Sequence, residues 1–551
     1  MRVSRSMLPS FGGGFHLAAA WPLAVGGLAF ALAAPVVVAT PSANSVRVEV
    51  AAAVHHDRSG RLGNQPSAPS ARKLTEHPLR SVPHVAPGQV VADPVAQTTV
   101  SGPAAAVTGV RDFAGVGYGD YGFAPDAAPP DTNGAAGDRQ YVQWVNESIG
   151  VFDKSTGAMA AGFPKTGNTL WAGFGGPCQT SNDGDPIVTY DQDAGRWFFT
   201  QFAVSQQPYL ECVAVSTTSD ATGPYNRYSF SYGNQFPDYP KVGVWPDAYY
   251  ITFNIFNNGS AWAGAKACAY DRANMLNGLP AAQQCAQLST AYGGLLPSDI
   301  DGSTPPPPGA PNVLLNFGSN SLREWKFHVD WATPANSTFT GPTNIPVAAF
   351  SAACGGGGAC IPQSQSRQKL DSLADRLMYR LAYRNFGGQE SWVVNHSVTI
   401  GGGSGPGKKS ASRVGVRWYE LRGLNGTPTV SQQGTFGATT SDSLFRWMGS
   451  IAMDRNGDIA LGYSTSSSNS HPGIRYATRL ATDPPDTLTG ENTIITGGGS
   501  QQPNLSRWGD YSAMSIDPVD DCTFWYTNEY LKSNGAFNWS TRIATFRIAG
   551  C

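Results

Sequence analysis

The chain has 551 residues, too many for one small two-layer domain and enough for a large core. Only 14% are charged and the net charge is −2, which excludes the clustered Lys/Arg face of a nucleic-acid binder. Its 64 glycines, 40 prolines and many aromatics point to strands and turns and away from a helix bundle.

Residues 1–43 read as a signal peptide. Arg2 and Arg5 give the positive start, an apolar stretch covers about 17–38, and small residues follow up to Pro41-Ser42-Ala43. A retained membrane anchor is the competing reading, because the stretch is long. Pro22, Gly26, Gly27 and Pro35 interrupt it and favour cleavage. The expected location is therefore secreted, periplasmic or cell-surface, with no membrane span after cleavage.

Residues 44–125 are rich in Ala, Pro, Ser, Gln and Val and poor in large apolar side chains, so they cannot form a core alone. They read as a low-complexity linker or pro-segment. The pair His55-His56 reads as part of a solvated tail rather than a metal site.

From 126 to 551 the chain repeats a strand–turn–strand unit. "DPIVTYDQDAGRWFFTQFA" starts at Asp185, "DYPKVGVWPDAYYITFNIF" at Asp238 and "RWMGSIAMDRNGDIALGYSTS" at Arg446. Turns at Asp138, Asp191, Asp247, Pro306, Arg384, Asp454 and Asp517 mark seven copies, roughly 50–80 residues apart. A third alternating strand follows most copies, for example "ECVAVSTT" at Glu211 and "TRIATFRIA" at Thr541. An isolated four-stranded sheet with two apolar faces cannot stay in water; stacking such sheets in a closed ring buries both. The expected fold is all-β, a seven-bladed β-propeller, with six or eight blades as alternatives. The last copy ends on its third strand, so a strand within 107–123 is expected to complete it. Helical periodicity is scarce, and 366–380 is the best later candidate for a helix.

Eight cysteines, all beyond the linker in an exported chain, predict disulfides. Sequence leaves their connectivity open; the simplest pairing joins neighbours, 178 with 212, 268 with 285, 354 with 360 and 522 with 551.

In the repeat, the start of each first strand lies at one face of the ring, near its axis. Acids recur there at Asp131, Asp185, Asp238, Asp375 and Asp510, with Arg376, Arg446-Trp447 and Arg507-Trp508 beside them. Arginine forks onto oxyanions, Trp and Tyr stack on sugar rings, and carboxyls act as general acid or base. The catalytic candidates are Asp238, Asp510, Tyr511 and Glu529. The substrate-binding candidates are Arg376, Arg446, Arg507, Trp447 and Trp508. A structural reading competes for the acids, since five equivalent carboxylates suit backbone N–H groups between blades. The turn acids Asp191, Asp454, Asp517 and Asp521 read as tight-turn residues. No cofactor is expected; a ring of carboxylates would suit at most a structural calcium ion. His328, His396 and His471 are the only histidines beyond the linker, and no zinc, P-loop or Ser-hydrolase motif occurs.

Strings such as "GDPIVTYDQDAGRWFF" and "RWGDYSAMSIDP" resemble secreted bacterial propellers of the sialidase/BNR-repeat superfamily, over 126–551. No Arg-Ile-Pro string and no full Asp-box is present. The resemblance implies glycan hydrolysis or glycan binding, with Arg376, Arg446 and Arg507 in the place of three arginines that hold a substrate carboxylate. Three functions stay open: a sialidase-like glycoside hydrolase acting on acidic glycans, a non-catalytic glycan- or protein-binding propeller, and a polysaccharide lyase using His396 and a tyrosine. The expected partner is a glycan or polysaccharide, and the expected state is a monomer.

Overall fold

A computed structural model describes residues 45–69, 74–82, 92–97, 105–401, 412–437 and 443–551. The expected signal peptide lies outside the described residues. What is described is nearly all-β.

Seven antiparallel meanders follow one another along the chain. Six carry four strands each, over 133–166, 187–233, 235–287, 296–346, 378–436 and 445–495. The seventh supplies three, over 513–548. Each expected turn falls between the first and second strands of one unit, or at the strand end beside that turn. The first strands adjoin in cyclic order, and that of the seventh unit adjoins that of the first. Those of the fourth and fifth units pair directly, in parallel, from Ser298 against Leu381 to Asp301 against Arg384. The arrangement is propeller-like.

The sequence dictates this stacking because its strands are apolar on both faces. In Arg196–Ala203 of the second unit, Trp197 and Phe199 pack with Val142 and Trp144 of the first unit. Phe198 and Phe202, on the alternate face, pack with Tyr249, Ile251 and Phe253 of the third. Each such ring, fully buried, contributes about 1.5–3 kcal/mol. The seventh unit meets the first in the same way, with Trp525 stacked on Tyr141 at 5.0 Å between ring centroids. Side chains also bridge units by accepting backbone N–H groups. Asn133 accepts from Val188, Asp185 from Tyr239, Asp299 from Val244 and Ser515 from Ala136.

Residues 44–125 were expected to run free, apart from one closing strand. Instead, β1 (Ser45–Val46), β2 (Val48–Ala52) and β3 (His55–Arg58) pair with the last strands of the fourth, third and second units. β4 (Thr75–Glu76) lies parallel to Ala127–Ala128. β5 (Val107–Ala114) pairs antiparallel with Trp539–Ile548 and so completes the seventh unit. Gln143 of the first unit locks that seam: it donates to Thr527 and Thr541 and accepts from the Val116 backbone just past β5.

The candidate helix over 366–380 is absent. Ser366–Leu370 is a strand paired with Ile361–Gln363, and Met378–Asn385 opens the fifth unit. Sheet partners override a weak local helical pattern there. The four disulfides join Cys178 to Cys212, Cys268 to Cys285, Cys354 to Cys360 and Cys522 to Cys551, the neighbour pairing.

Candidate functional site

Before or within each first strand the backbone passes through a left-handed residue. These are Asp131 (φ 48°), Asp185 (φ 48°), Tyr239 (φ 57°), Gly294 (φ 63°), Leu373 (φ 43°), Met448 (φ 55°) and Asp510 (φ 63°). Aspartate and glycine tolerate this region; Tyr, Leu and Met are held there by their surroundings. The recurring reversal carries polar side chains from several units to one end of the ring. Asp185, Asp238, Tyr239, Arg376, Arg507 and Asp510 line a common cavity of about 40 Å³ there.

Arg376 forks onto Asp375 at 2.8 and 3.0 Å, and its guanidinium carbon lies 4.4 Å from the centre of the Tyr239 ring. Arg507 donates to Asp371 and Asp510, and its Nε donates to the His77 carbonyl at 2.8 Å. Lys241 is fully buried. Its Nζ donates to the Pro240 carbonyl at 2.7 Å and sits 3.4 and 3.9 Å from the ring centres of Tyr239 and Tyr511. Burial lowers the Lys241 amine to about 7, against the pull of Asp185, Asp131 and Asp510. Asp131 is 1% exposed, and neither carboxylate oxygen has a hydrogen-bond partner. Burial and the charges of Asp510 and Asp185 push its carboxyl well above the usual range. Burial and Asp185 likewise raise Asp238 to about 7, with Arg80 and Arg376 opposing. A carboxyl that keeps its proton near neutrality can act as a general acid.

The sequence-predicted residues divide. Asp238, Asp510, Arg376 and Arg507 share the cavity. Tyr511 packs against Tyr239 beside it and donates to the Pro186 carbonyl at 3.0 Å. Glu529 is buried behind it and accepts from the Gly509 backbone at 2.7 Å; burial raises its carboxyl well above the usual value. Arg446 is not brought to the mouth. Its guanidinium forks onto Glu491 at 2.7 and 3.0 Å and lies over Phe436 of the neighbouring unit. Trp447 and Trp508 are 0% exposed and pack on one another, so neither offers a ring face to a sugar. Both rings sit in the apolar core shared by neighbouring units, which explains the difference.

His396 is also enclosed. Its Nε2 lies 3.0 Å from the Tyr419 hydroxyl between aromatic rings, and burial with Arg417 holds its pKa well below the ordinary value. Among the described residues no three acidic, His or Cys side chains form a metal-binding group. Lys241 and Arg507 stand among the acids of the mouth, where the sequence would suit at most a structural calcium ion.

Sequence reasoning missed Lys241, Asp371 and the segment 77–82 that crosses the mouth. Lys241 left a signal, a lysine inside an apolar strand in "DYPKVGVW". A larger cavity, about 800 Å³, lies at the opposite end, among the turns. Four of its five acids are held in ion pairs: Asp191 and Asp193 bind Arg272, Asp521 binds Arg384, and Asp520 binds Arg547. The mouth is the better candidate because it gathers two raised carboxyls, Asp131 and Asp238, a lowered amine, Lys241, and two arginines from several units at one place.

No protein-family model and no curated protein matches the chain. Solved structures match faintly. The family-25 polysaccharide lyase described as an ulvan lyase is 13% identical, with 77% of this chain and 81% of that one covered at a TM-score of 0.28. The α-L-arabinofuranosidase Arb93A from Fusarium graminearum is 8% identical, with 84% and 99% covered at 0.33. The N-terminal domain of Nup159 is 8% identical, with 85% and 100% covered at 0.32. At these values none of them assigns an activity.

Proposed function

We propose that the protein is a secreted seven-bladed β-propeller directed at carbohydrate, a glycoside hydrolase whose centre is the axial mouth. The observation that carries the reading is the group of Asp131, Asp185 and Asp510 around buried Lys241, with half-buried Asp238 and the arginines Arg376 and Arg507 lining the cavity beside it. Glycoside hydrolysis needs one carboxyl protonated and a second ionised across the scissile bond. Asp131 and Asp238, both raised, supply the acid; Asp185 and Asp510 lie beside them for the second role. Arg376 and Arg507 suit a carboxylate or sulfate on an acidic glycan. The sialidase-like form is not carried forward, since it needs a third arginine and Arg446 is engaged elsewhere. Four disulfides suit an oxidising compartment, in keeping with export.

The test is product release from a panel of acidic and neutral polysaccharides, followed by chromatography. Asp131→Asn and Asp238→Asn should each lower turnover at least about 100-fold while the fold persists. The non-catalytic reading also has an observation in its favour. A 40 Å³ cavity holds little more than one water and admits no sugar ring as it stands. Glycan binding with no product from any polymer would establish that reading instead.

A further inference from the structure

The segment over 74–82, Leu-Thr-Glu-His-Pro-Leu-Arg-Ser-Val, crosses the mouth and satisfies the groups that a ligand would meet. Its carbonyl oxygens take both arginines: Arg507 Nε donates to His77 at 2.8 Å, and Arg376 donates to Arg80 at 2.9 Å. Its one guanidinium takes the acid, with Arg80 Nε 3.5 Å from Asp238. That guanidinium also lies 4.3 and 5.3 Å from the ring centres of Phe236 and Phe256, and it donates to the Gly259 carbonyl. The Val82 amide donates to Asp375 at 3.0 Å, and the His77 amide to the Ala128 carbonyl at 2.7 Å. His77 Nε2 stands 3.6 Å from Glu147.

Nine residues thus touch the first, third, fifth and seventh units, and they do so largely through polar and charged contacts. Of these residues only Val82 is buried; Leu74, Thr75, Glu76, Pro78 and Ser81 are exposed. A segment built to hold the core would be apolar and enclosed, as the β5 seam and the blade interfaces are. A segment that presents acceptors to two arginines and a cation to a raised carboxyl instead matches the site's own ligand chemistry.

We propose that residues 74–82 are an intramolecular competitor that stops the axial mouth, and that the mouth opens to ligand only when this segment leaves. The identity of the site rests on the function proposed above; the stopping does not. A tethered occupant acts at an effective concentration on the order of millimolar, so even a weakly bound segment excludes a free ligand. The glycan that replaces it carries oxygen acceptors for Arg376 and Arg507 where the two carbonyls now lie.

The test uses the full chain with a specific protease site in place of residues 70–73 and a second within 83–91, so that the segment can be cut out. The probe is a fluorescein-labelled peptide of sequence LTEHPLRSV, read by anisotropy, beside the polysaccharide panel. After cutting, the native segment should exchange with the labelled peptide at one per chain, and the uncut chain should take up at least tenfold less. Glycan turnover should rise at least tenfold on cutting. A cut segment that never exchanges, or a chain that unfolds when it leaves, would make the segment a fixed structural part and overturn the proposal. Equal glycan turnover before and after cutting overturns it too, while leaving the hydrolase reading standing. Peptide exchange with no turnover of any polymer upholds the stopper and sinks the hydrolase. In the uncut chain, Arg80→Glu should speed hydrogen exchange of the His77 and Val82 amides at least tenfold, with blade amides unchanged; no change there also counts against the proposal.

Discussion

Arg80 and Asp238 face each other at 3.5 Å, one from a segment read as linker and the other from the first strand of the third unit. The pair is partly buried, with 23% and 15% of the two side chains exposed. Arg80→Ala removes a charge that holds the Asp238 carboxyl down, so its value should rise above the present figure of about 7. Carbon-13 NMR of the carboxyl carbon measures this directly. Stability should fall by about 1–2 kcal/mol in denaturant unfolding, between the surface and buried limits for such pairs.

Docking of the stopper should depend on pH through His77. Burial lowers its pKa, but Glu147, Asp185 and Asp510 outweigh that and leave it raised above 6.5. A histidine raised in the folded state stabilises docking fully below pH 6.5, and that contribution is lost as pH rises through the raised value. Hydrogen exchange of the His77 and Val82 amides should therefore speed up across that range, beyond the intrinsic pH effect. Glu147 faces the ring, with Asp126 and Asp183 behind it, and itself titrates above its ordinary value through burial. His77→Gln should abolish the histidine-dependent part of the profile.

Arg446 tests the division of the arginines. Its side chain is 2% exposed and shares Glu491 with Arg475 and the Tyr463 hydroxyl. Arg446→Ala should cost about 3–5 kcal/mol, because a carboxylate on the sheet face loses its main partner. Uptake of the labelled peptide by the cut chain, per folded molecule, should stay within twofold. A loss of uptake with the stability intact would return Arg446 to the mouth.

The Cys522–Cys551 bond ties Cys551 to the residue just before the second strand of its own unit, Thr523–Leu531. Its sequence separation of 29 residues corresponds to about 3–4 kcal/mol of loop-closure entropy in the unfolded chain. Replacing both cysteines by serine should lower unfolding stability by up to that amount. Fraying of Trp539–Ile548 against β5, seen by hydrogen exchange, should accompany it.

Much of the ring is legible because its signals are local. Asp, Gly and Pro at the hairpins mark the turns, and runs such as Arg196–Ala203 declare two buried faces. The mouth is half legible. The recurring acids locate it, but register decides which neighbours enter it: Arg446 and Trp447 leave their strand on opposite faces, one against Phe436 of the fifth unit and the other against Trp508 of the seventh. The stopper is illegible for a different reason. "EHPLRSV" has no strand or helix period, and its partners are groups from four separate units. The early strands did leave a trace, the alternation of Val46, Val48 and Val50, which overall composition masks.

β1, β2 and β3 run along the fourth, third and second units in turn, each against a last strand that would otherwise end its sheet. Those rims have open N–H and C=O groups once the cover is gone. A chain trimmed before His55 would bare two of them, and one trimmed past Arg58 all three. Such a chain would keep its ring yet recruit strands from other molecules, so that early proteolysis would register first as self-association and precipitation.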